Sequence, residues 1–240
     1  MPLTHPYSLA IFIAAALLTV VSAAALRRAA SERPDLSSTA SLLAIGMFAW
    51  AALGIAGSTL SFFPSRTEFT EADLPGFLIL NGLISLFPAI FVVAAVSSSR
   101  VMQVVSRVPT WVLVGVHVYR LGGLVILLLG LDGRLTPFVG YAAGVGDVTV
   151  GLTAAPIAYL LYTRRPWARI VAGLWAAFGL LEFSVAVIAV QLSFFELVQF
   201  DLEPAMVGFA PMATIVVFQL PFGILTHILL LMRLGRDDVP

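Results

Sequence analysis

Residues 110–131 read TWVLVGVHVYRLGGLVILLLGL. This run is long enough to cross a bilayer as a helix, since a membrane span needs about 20 mostly apolar residues. His117, Tyr119 and Arg120 interrupt it near its middle. A charge at that depth costs about 2.5–3.5 kcal/mol on insertion scales, so Arg120 needs a partner or a wet cavity. The stretch therefore predicts a membrane helix with a polar feature inside it.

The rest of the chain has the composition of a polytopic membrane protein. Of its 240 residues, 60% are hydrophobic and 11% are charged, and the mean hydropathy is +1.03. Soluble domains carry about 25% charged residues. The net charge is zero and there is no basic tail, which argues against nucleic acid as a partner. The chain has no cysteine, which excludes disulfides and thiol catalysis, and no lysine, which excludes Schiff-base chemistry.

Seven segments qualify as spans, and they predict an all-α bundle that forms one domain over residues 1–240. With boundaries good to about 3 residues, they are 7–26, 38–60, 75–97, 110–131, 137–163, 167–191 and 205–232. The first span could instead be a cleaved signal peptide. However, its start, MPLTHPYS, lacks basic residues and two arginines follow its apolar run, so we expect a retained helix.

The loops predict the orientation of the bundle. Arginines gather in the first, third and fifth loops, whereas the second and sixth loops are acidic. The positive-inside rule then places the N-terminus outside and the C-terminus in the cytoplasm. We expect a multi-pass membrane protein whose surroundings are the lipid bilayer.

Two parts of the chain resemble each other weakly. WAALG at 50–54 matches WAAFG at 175–179, and SFF recurs at 61 and at 193. These matches suggest two parallel three-helix units, 7–97 and 137–232, joined by the helix 110–131. Short matches are also common in apolar sequence of low diversity. A duplication of this kind resembles the plan of small sugar transporters, whose repeats frame a central site.

Ionisable side chains inside the spans are the candidate site. Arg120 and Asp147 lie equally far from the centre of the loop between spans four and five, so an antiparallel hairpin places both at one depth. We expect them to pair, either as a structural clamp or as part of a site. Glu182 lies in span six without an obvious cationic partner, and Gln219 and Asn81 come near a similar depth. Together these five side chains predict an outward-facing, partly hydrated cavity.

Two histidines offer an alternative. At about 1.5 Å per residue, His117 and His227 come to similar heights above the predicted cytoplasmic ends of their spans. Equal depth is what the two axial ligands of a haem b need. Each histidine could equally hydrogen-bond across helices. Haem b is therefore the one cofactor that the sequence suggests.

The middle of the chain resembles a group of uncharacterised bacterial membrane proteins. The resemblance rests on VYRLGG (118–123), GRLTP (133–137) and GVGD (144–147), and it covers about 116–156. It implies a bacterial inner-membrane protein and supplies no activity.

Three functions follow as hypotheses. The protein binds or translocates a small molecule through the predicted cavity, or it is a membrane-embedded redox enzyme subunit that uses His117 and His227. In the third hypothesis it is a non-catalytic subunit or scaffold of a larger membrane complex. Its partner in the membrane would be another subunit of such a complex or a second copy of the chain.

Overall fold

The computed structural model describes residues 6–59, 97–133, 135, 137–194 and 212–235, together with isolated positions between 60 and 96. This part of the chain is helical and contains no strand. The helices are α1 (Pro6–Ala29), α2 (Pro34–Thr59), α3 (Ser99–Arg107), α4 (Thr110–Leu131), α5 (Pro137–Tyr162), α6 (Ala168–Phe194) and α7 (Met212–Leu234).

Six of the predicted spans are confirmed as helices long and apolar enough to cross a membrane: α1, α2, α4, α5, α6 and α7. The third predicted span, 75–97, falls almost wholly outside the described residues. The first proposed repeat unit contains that span, so the duplication stays a prediction.

The outer faces of the bundle are apolar. Leu42, Ile170 and Leu174 are each more than two-thirds exposed, and many other large aliphatic side chains are also exposed. Monomeric soluble proteins rarely expose contiguous apolar surface on this scale. Such a surface fits a protein solvated by lipid.

The hydropathy pattern predicts a loop between the spans 75–97 and 110–131. That prediction is wrong, because Ser99–Arg107 form the short helix α3. Ser98 begins the helix, since its hydroxyl accepts a hydrogen bond from the Val101 amide at 3.3 Å. Val104 and Val105 are buried, one turn after Val101, and Pro109 follows the helix end. The helix is amphipathic and short, so it has no stretch apolar enough to register as a span.

The last helix, α7, is the centre of the bundle. In its apolar segment 78% of the residues are buried, against 28–44% in the other five spans. It contacts α1, α2, α4 and α6. A helix that is apolar all round is suited to such a position, because no face of it needs water.

Two spans depart from α-helical geometry near their middles. In α4, residues Val116–Gly122 form a 3₁₀ helix, and in α7, residues Ile215–Gln219 form a π-helical turn. Pro221 follows the π turn and has no amide hydrogen for the carbonyl of Val217, four residues earlier. The Trp50 indole donates to that carbonyl at 2.8 Å. A neighbouring helix thus satisfies the carbonyl that proline frees.

Helices α4 and α5 pack backbone to backbone. Gly130 and Gly140 face each other so closely that a side chain on either would overlap the other's main chain, and Gly144 lies against the backbone of Leu127. The small-residue spacing of Gly140 and Gly144 thus allows the two helices to pack closely within one chain.

Candidate functional site

The 3₁₀ segment of α4 aligns the polar residues of the opening stretch. Side chains three residues apart eclipse each other in a 3₁₀ helix. His117, Arg120 and Gly123 are therefore stacked on one face, and all three are buried, while Val118 and Leu121 are exposed. The irregular geometry turns this one face toward α5, α6 and α7.

Arg120 lies at the centre of the site. Its Nε donates to Asp147 Oδ1 of α5 at 2.5 Å, and its Nη2 donates to Glu182 Oε2 of α6. Its guanidinium carbon lies 3.8 Å from the centroid of the Phe183 ring. The predicted pair of Arg120 with Asp147 is confirmed. Glu182, for which the sequence showed no obvious cationic partner, also binds Arg120, because α6 packs on α5 at the level where α5 carries Asp147.

Glycines make room for these side chains. A Cβ added to Gly123 would overlap Asp147, and one added to Gly146 would overlap Glu182. Gly179 faces the His227 ring in the same way, and Gly223 faces Phe183. Each polar group thus lies against a neighbouring helix at a point where that helix has no side chain. The close approach leaves the Asp147 and Glu182 side chains only 12% and 8% exposed, and this burial strengthens the electrostatic attraction within the cluster.

Two histidines extend the cluster. His227 Nε2 of α7 lies 3.3 Å from Arg120 Nη1. Since a guanidinium can only donate, this nitrogen accepts, and the neutral ring carries its proton on Nδ1. His117 Nε2 pairs with the Thr226 hydroxyl at 2.9 Å. Both rings are buried, and among the described residues neither Nδ1 has a hydrogen-bond partner.

The histidine pair does not fit haem. An imidazole nitrogen binds a metal at about 2.0 Å, and two axial ligands hold their rings on opposite sides of the porphyrin. The rings of His117 and His227 instead lie against each other, with centroids 4.1 Å apart and planes at 32°. No porphyrin fits between them. The Trp175 ring packs against the pair, with its centroid 5.2 Å from that of His117 and 4.9 Å from that of His227.

The remaining predicted site residues lie apart from this cluster or outside the described residues. Gln219 belongs to the π turn of α7, and its side-chain nitrogen donates to the Ile11 carbonyl of α1 at 3.1 Å. The backbone carbonyl of Gln219 accepts a hydrogen bond from the Tyr119 hydroxyl at 2.7 Å. Gln219 therefore joins helices and makes no hydrogen bond to the carboxylates. Asn81 lies outside the described residues.

A cavity of about 210 Å³ lies on the other side of the histidines, among α1, α2, α3, α4 and α7. Its walls are almost wholly apolar, with Leu26, Met47 and Leu229 among them. Two hydroxyls reach it, those of Ser22 and Thr226, and Ser22 Oγ has no partner among the described residues. Arg120, Asp147, Glu182 and Gln219 do not line it.

A family model matches residues 77–235, about two thirds of the chain. Its description is a domain of unknown function, DUF8737. The chain belongs to the DUF8737 family. The matched region of DUF8737 contains Arg120, Asp147, Glu182 and both histidines of the cluster. Neither a curated protein nor a solved structure matches the chain.

Sequence reasoning about this DUF8737 member missed several contributors to the cluster. Phe183 and Thr226 are ordinary residues for a membrane helix, and nothing in the sequence marks them. Trp175 was singled out only as part of the WAAFG match, which gives no reason to place it beside the histidines. The sequence placed Glu182 in one cavity with Arg120 but did not predict their direct ion pair. One signal in the sequence could have found this ion pair, namely Gly146, one residue before Asp147. A glycine there leaves space on the face of α5 beside Asp147, and the Glu182 side chain occupies that space.

Proposed function

We propose that the protein binds or translocates a small molecule at an intramembrane site centred on Arg120, Asp147 and Glu182. The observation that carries the proposal is that three ionisable side chains from three different spans meet inside the bundle. Ionisable residues within membrane spans usually mark substrate or ion pathways, since their insertion is costly. The proposed site opens toward the side of loops two, four and six, in a bacterial inner membrane.

The geometry of the spans supports this proposal. Arg120 follows His117 in the 3₁₀ segment of α4, and His227 lies about two turns after the π turn and Pro221 of α7. Segments of 3₁₀ and π helix within longer helices often occur at hinges and functional sites. A ligand that replaced contacts within the cluster would change the packing of α4, α5, α6 and α7 at once, because each of these helices contributes a side chain to it.

Thermal unfolding of the purified protein across a panel of metabolites tests the proposal. A ligand stabilises the folded protein by RT ln(1 + [L]/Kd), so a true ligand raises Tm in a concentration-dependent way. We expect Glu182→Gln to abolish that shift while the protein still expresses and folds. Glu32→Gln, on the exposed first loop, is the matched control and keeps the shift. A ligand whose shift survives Glu182→Gln binds elsewhere and contradicts the proposal.

A second candidate is a non-catalytic subunit whose charge cluster only fastens the helices. Close packing favours it, because Gly123 and Gly146 leave no space beside the two carboxylates. In that case no metabolite shifts Tm, and the protein purifies from its native membrane with a partner at fixed stoichiometry.

A further inference from the structure

The charges of the cluster do not balance. Arg120 contributes one positive charge, whereas Asp147 and Glu182 contribute two negative charges when both are ionised. The other titratable groups that face them are His117 and Tyr119 on α4 and His227 on α7. The hydrogen bond from Arg120 requires a neutral ring at His227, and Tyr119 is a neutral phenol that donates to the Gln219 carbonyl. His117 is neutral as well, because its Nδ1 is buried with no hydrogen-bond partner among the described residues, and an imidazolium would leave a charged N–H unpaired there. With both carboxylates ionised, the excess is therefore one negative charge.

This excess charge is shielded from water. The Arg120 side chain is fully buried, and those of Asp147 and Glu182 are only 12% and 8% exposed. Both carboxylates bind nitrogens of a single guanidinium, so they also repel each other at short range. Two carboxylates that share a site rarely both ionise, and the usual outcome is one proton shared by the pair.

A proton fits the space at this site better than a metal ion does. Gly123 lies against Asp147 and Gly146 against Glu182 so closely that an added Cβ would overlap the side chain, so the helix faces opposite the carboxylates leave no room for a hydrated ion on that side. The described residues also contain no group of three acidic or histidine side chains placed to bind a metal. A proton needs neither space nor additional ligands.

We propose that the Asp147–Glu182 pair holds one proton at neutral pH, which makes the cluster electrically neutral. The pair is thus a proton-binding site inside the membrane. This inference stands on charge and burial, and it does not depend on whether a small molecule binds.

Infrared spectroscopy of the full-length protein in lipid tests the proposal. A protonated carboxyl group has a C=O stretch separate from the carboxylate bands, and the stretch moves when H₂O is replaced by D₂O. We expect one such band at pH 7 in the wild type. Glu182→Gln and Asp147→Asn should each remove it, since either change leaves one carboxylate to pair with Arg120 in its ionised form. Glu32→Gln should leave the band unchanged.

Two results of the infrared experiment would overturn the proposal. A wild type without the band carries two ionised carboxylates, which overturns the proposal. A band that survives in either folded single variant shows that charge balance does not govern the pair, which also overturns it. If Asp147→Asn fails to fold, the wild type and Glu182→Gln suffice. Failure of this test leaves ligand-induced thermal shifts intact, so it is distinguishable from failure of the proposed function.

Discussion

Arg120 joins the helices of the site through three different atoms of one side chain. Nε, Nη1 and Nη2 contact Asp147, His227 and Glu182 in turn. The planar guanidinium suits this role because its donors point in fixed, divergent directions. The hairpin between α4 and α5 made the first partner predictable. The other two partners come from helices whose rotation about their axes no local pattern specifies.

The two carboxylates should behave non-additively in unfolding experiments. Asp147→Asn or Glu182→Gln alone leaves Arg120 with one ionised partner, so each should lower the free energy of unfolding by about 1 kcal/mol or less. The double variant strands the buried guanidinium, which costs about 3–5 kcal/mol. A double-mutant cycle by thermal or denaturant unfolding in detergent measures the coupling. Simple addition of the two single effects would show that Arg120 is not the shared partner.

Gly146 should not tolerate a side chain. Its added methyl group would overlap Glu182, and such overpacking lowers the free energy of unfolding by about 1–3 kcal/mol. Gly46 of α2 is the matched control, because an added Cβ there meets nothing within 4 Å. Gly46→Ala should be neutral or stabilising by up to about 1 kcal/mol, since alanine is the better helix former. Equal unfolding temperatures for Gly146→Ala and Gly46→Ala would contradict the close packing of α5 on α6.

At the scale of single elements, the C-terminal end of α5 holds a non-glycine residue in a strained backbone conformation. Arg164, after the end of α5, has φ 53°, a left-handed conformation that glycine adopts most readily. The Arg165 amide donates to the Leu160 carbonyl at 3.2 Å, and the Arg164 amide donates to Leu161 at 3.1 Å. These are the two hydrogen bonds of a Schellman motif, in which glycine usually holds the place of Arg164.

Arg164→Gly should therefore stabilise the protein. The left-handed conformation costs a non-glycine residue about 1–2 kcal/mol, and part of this is offset by the larger entropy of glycine in the unfolded chain. We expect a gain of about 0.5–1 kcal/mol in thermal unfolding. Arg164→Ala removes the same charge and keeps the Cβ, so it should give no gain. A similar rise in both variants would trace the effect to charge.

The end of α3 depends on α7. The Arg233 guanidinium is buried and donates to the carbonyls of Val105 and Val108, where α3 ends. The Val105 carbonyl also accepts from the Val108 amide at 3.2 Å, so the guanidinium adds to the hydrogen bonding of the helix end, where a cation is also favoured by the helix dipole.

Arg233→Gln should lower the free energy of unfolding by about 1.5–3 kcal/mol, the usual contribution of hydrogen bonds to charged groups. Arg107→Gln, an exposed residue on α3, removes a charge from the same region and should change it by less than about 0.5 kcal/mol. Thermal unfolding in one detergent compares the two variants. Equal effects would assign the loss to net charge.

For the molecule as a whole, the arrangement of arginines predicts which ends of the helices face the cytoplasm. The chain has no cysteine, so single cysteines report their own accessibility without background. Ser31 and Asp132 are exposed and lie on the first and fourth loops. Asp132→Cys should react with a membrane-impermeant maleimide on intact cells, and Ser31→Cys should react only after permeabilisation, because the positive-inside rule places the first loop in the cytoplasm. The reverse pattern would invert the proposed topology.

The sequence alone determined the class of this protein and the positions of its described spans. Hydropathy summed over about 20 residues is a local property, so α1, α2, α4, α5, α6 and α7 were predictable. The ion pair of Arg120 with Asp147 was predictable for a related reason, since a short loop fixes the relative depth of two residues. In contrast, α3 was missed, because the hydropathy pattern does not register a short amphipathic helix.

Tertiary structure alone decided which faces of the helices meet. The 3₁₀ geometry of Val116–Gly122 turns His117 and Arg120 to one side, and Glu182 and His227 reach Arg120 only because Gly146 and Gly179 let their helices approach. Gln219, which the sequence placed in the same cavity, binds the α1 backbone instead. Depth in the membrane follows from position along the chain, whereas rotation and spacing of helices follow from the packing of all of them together.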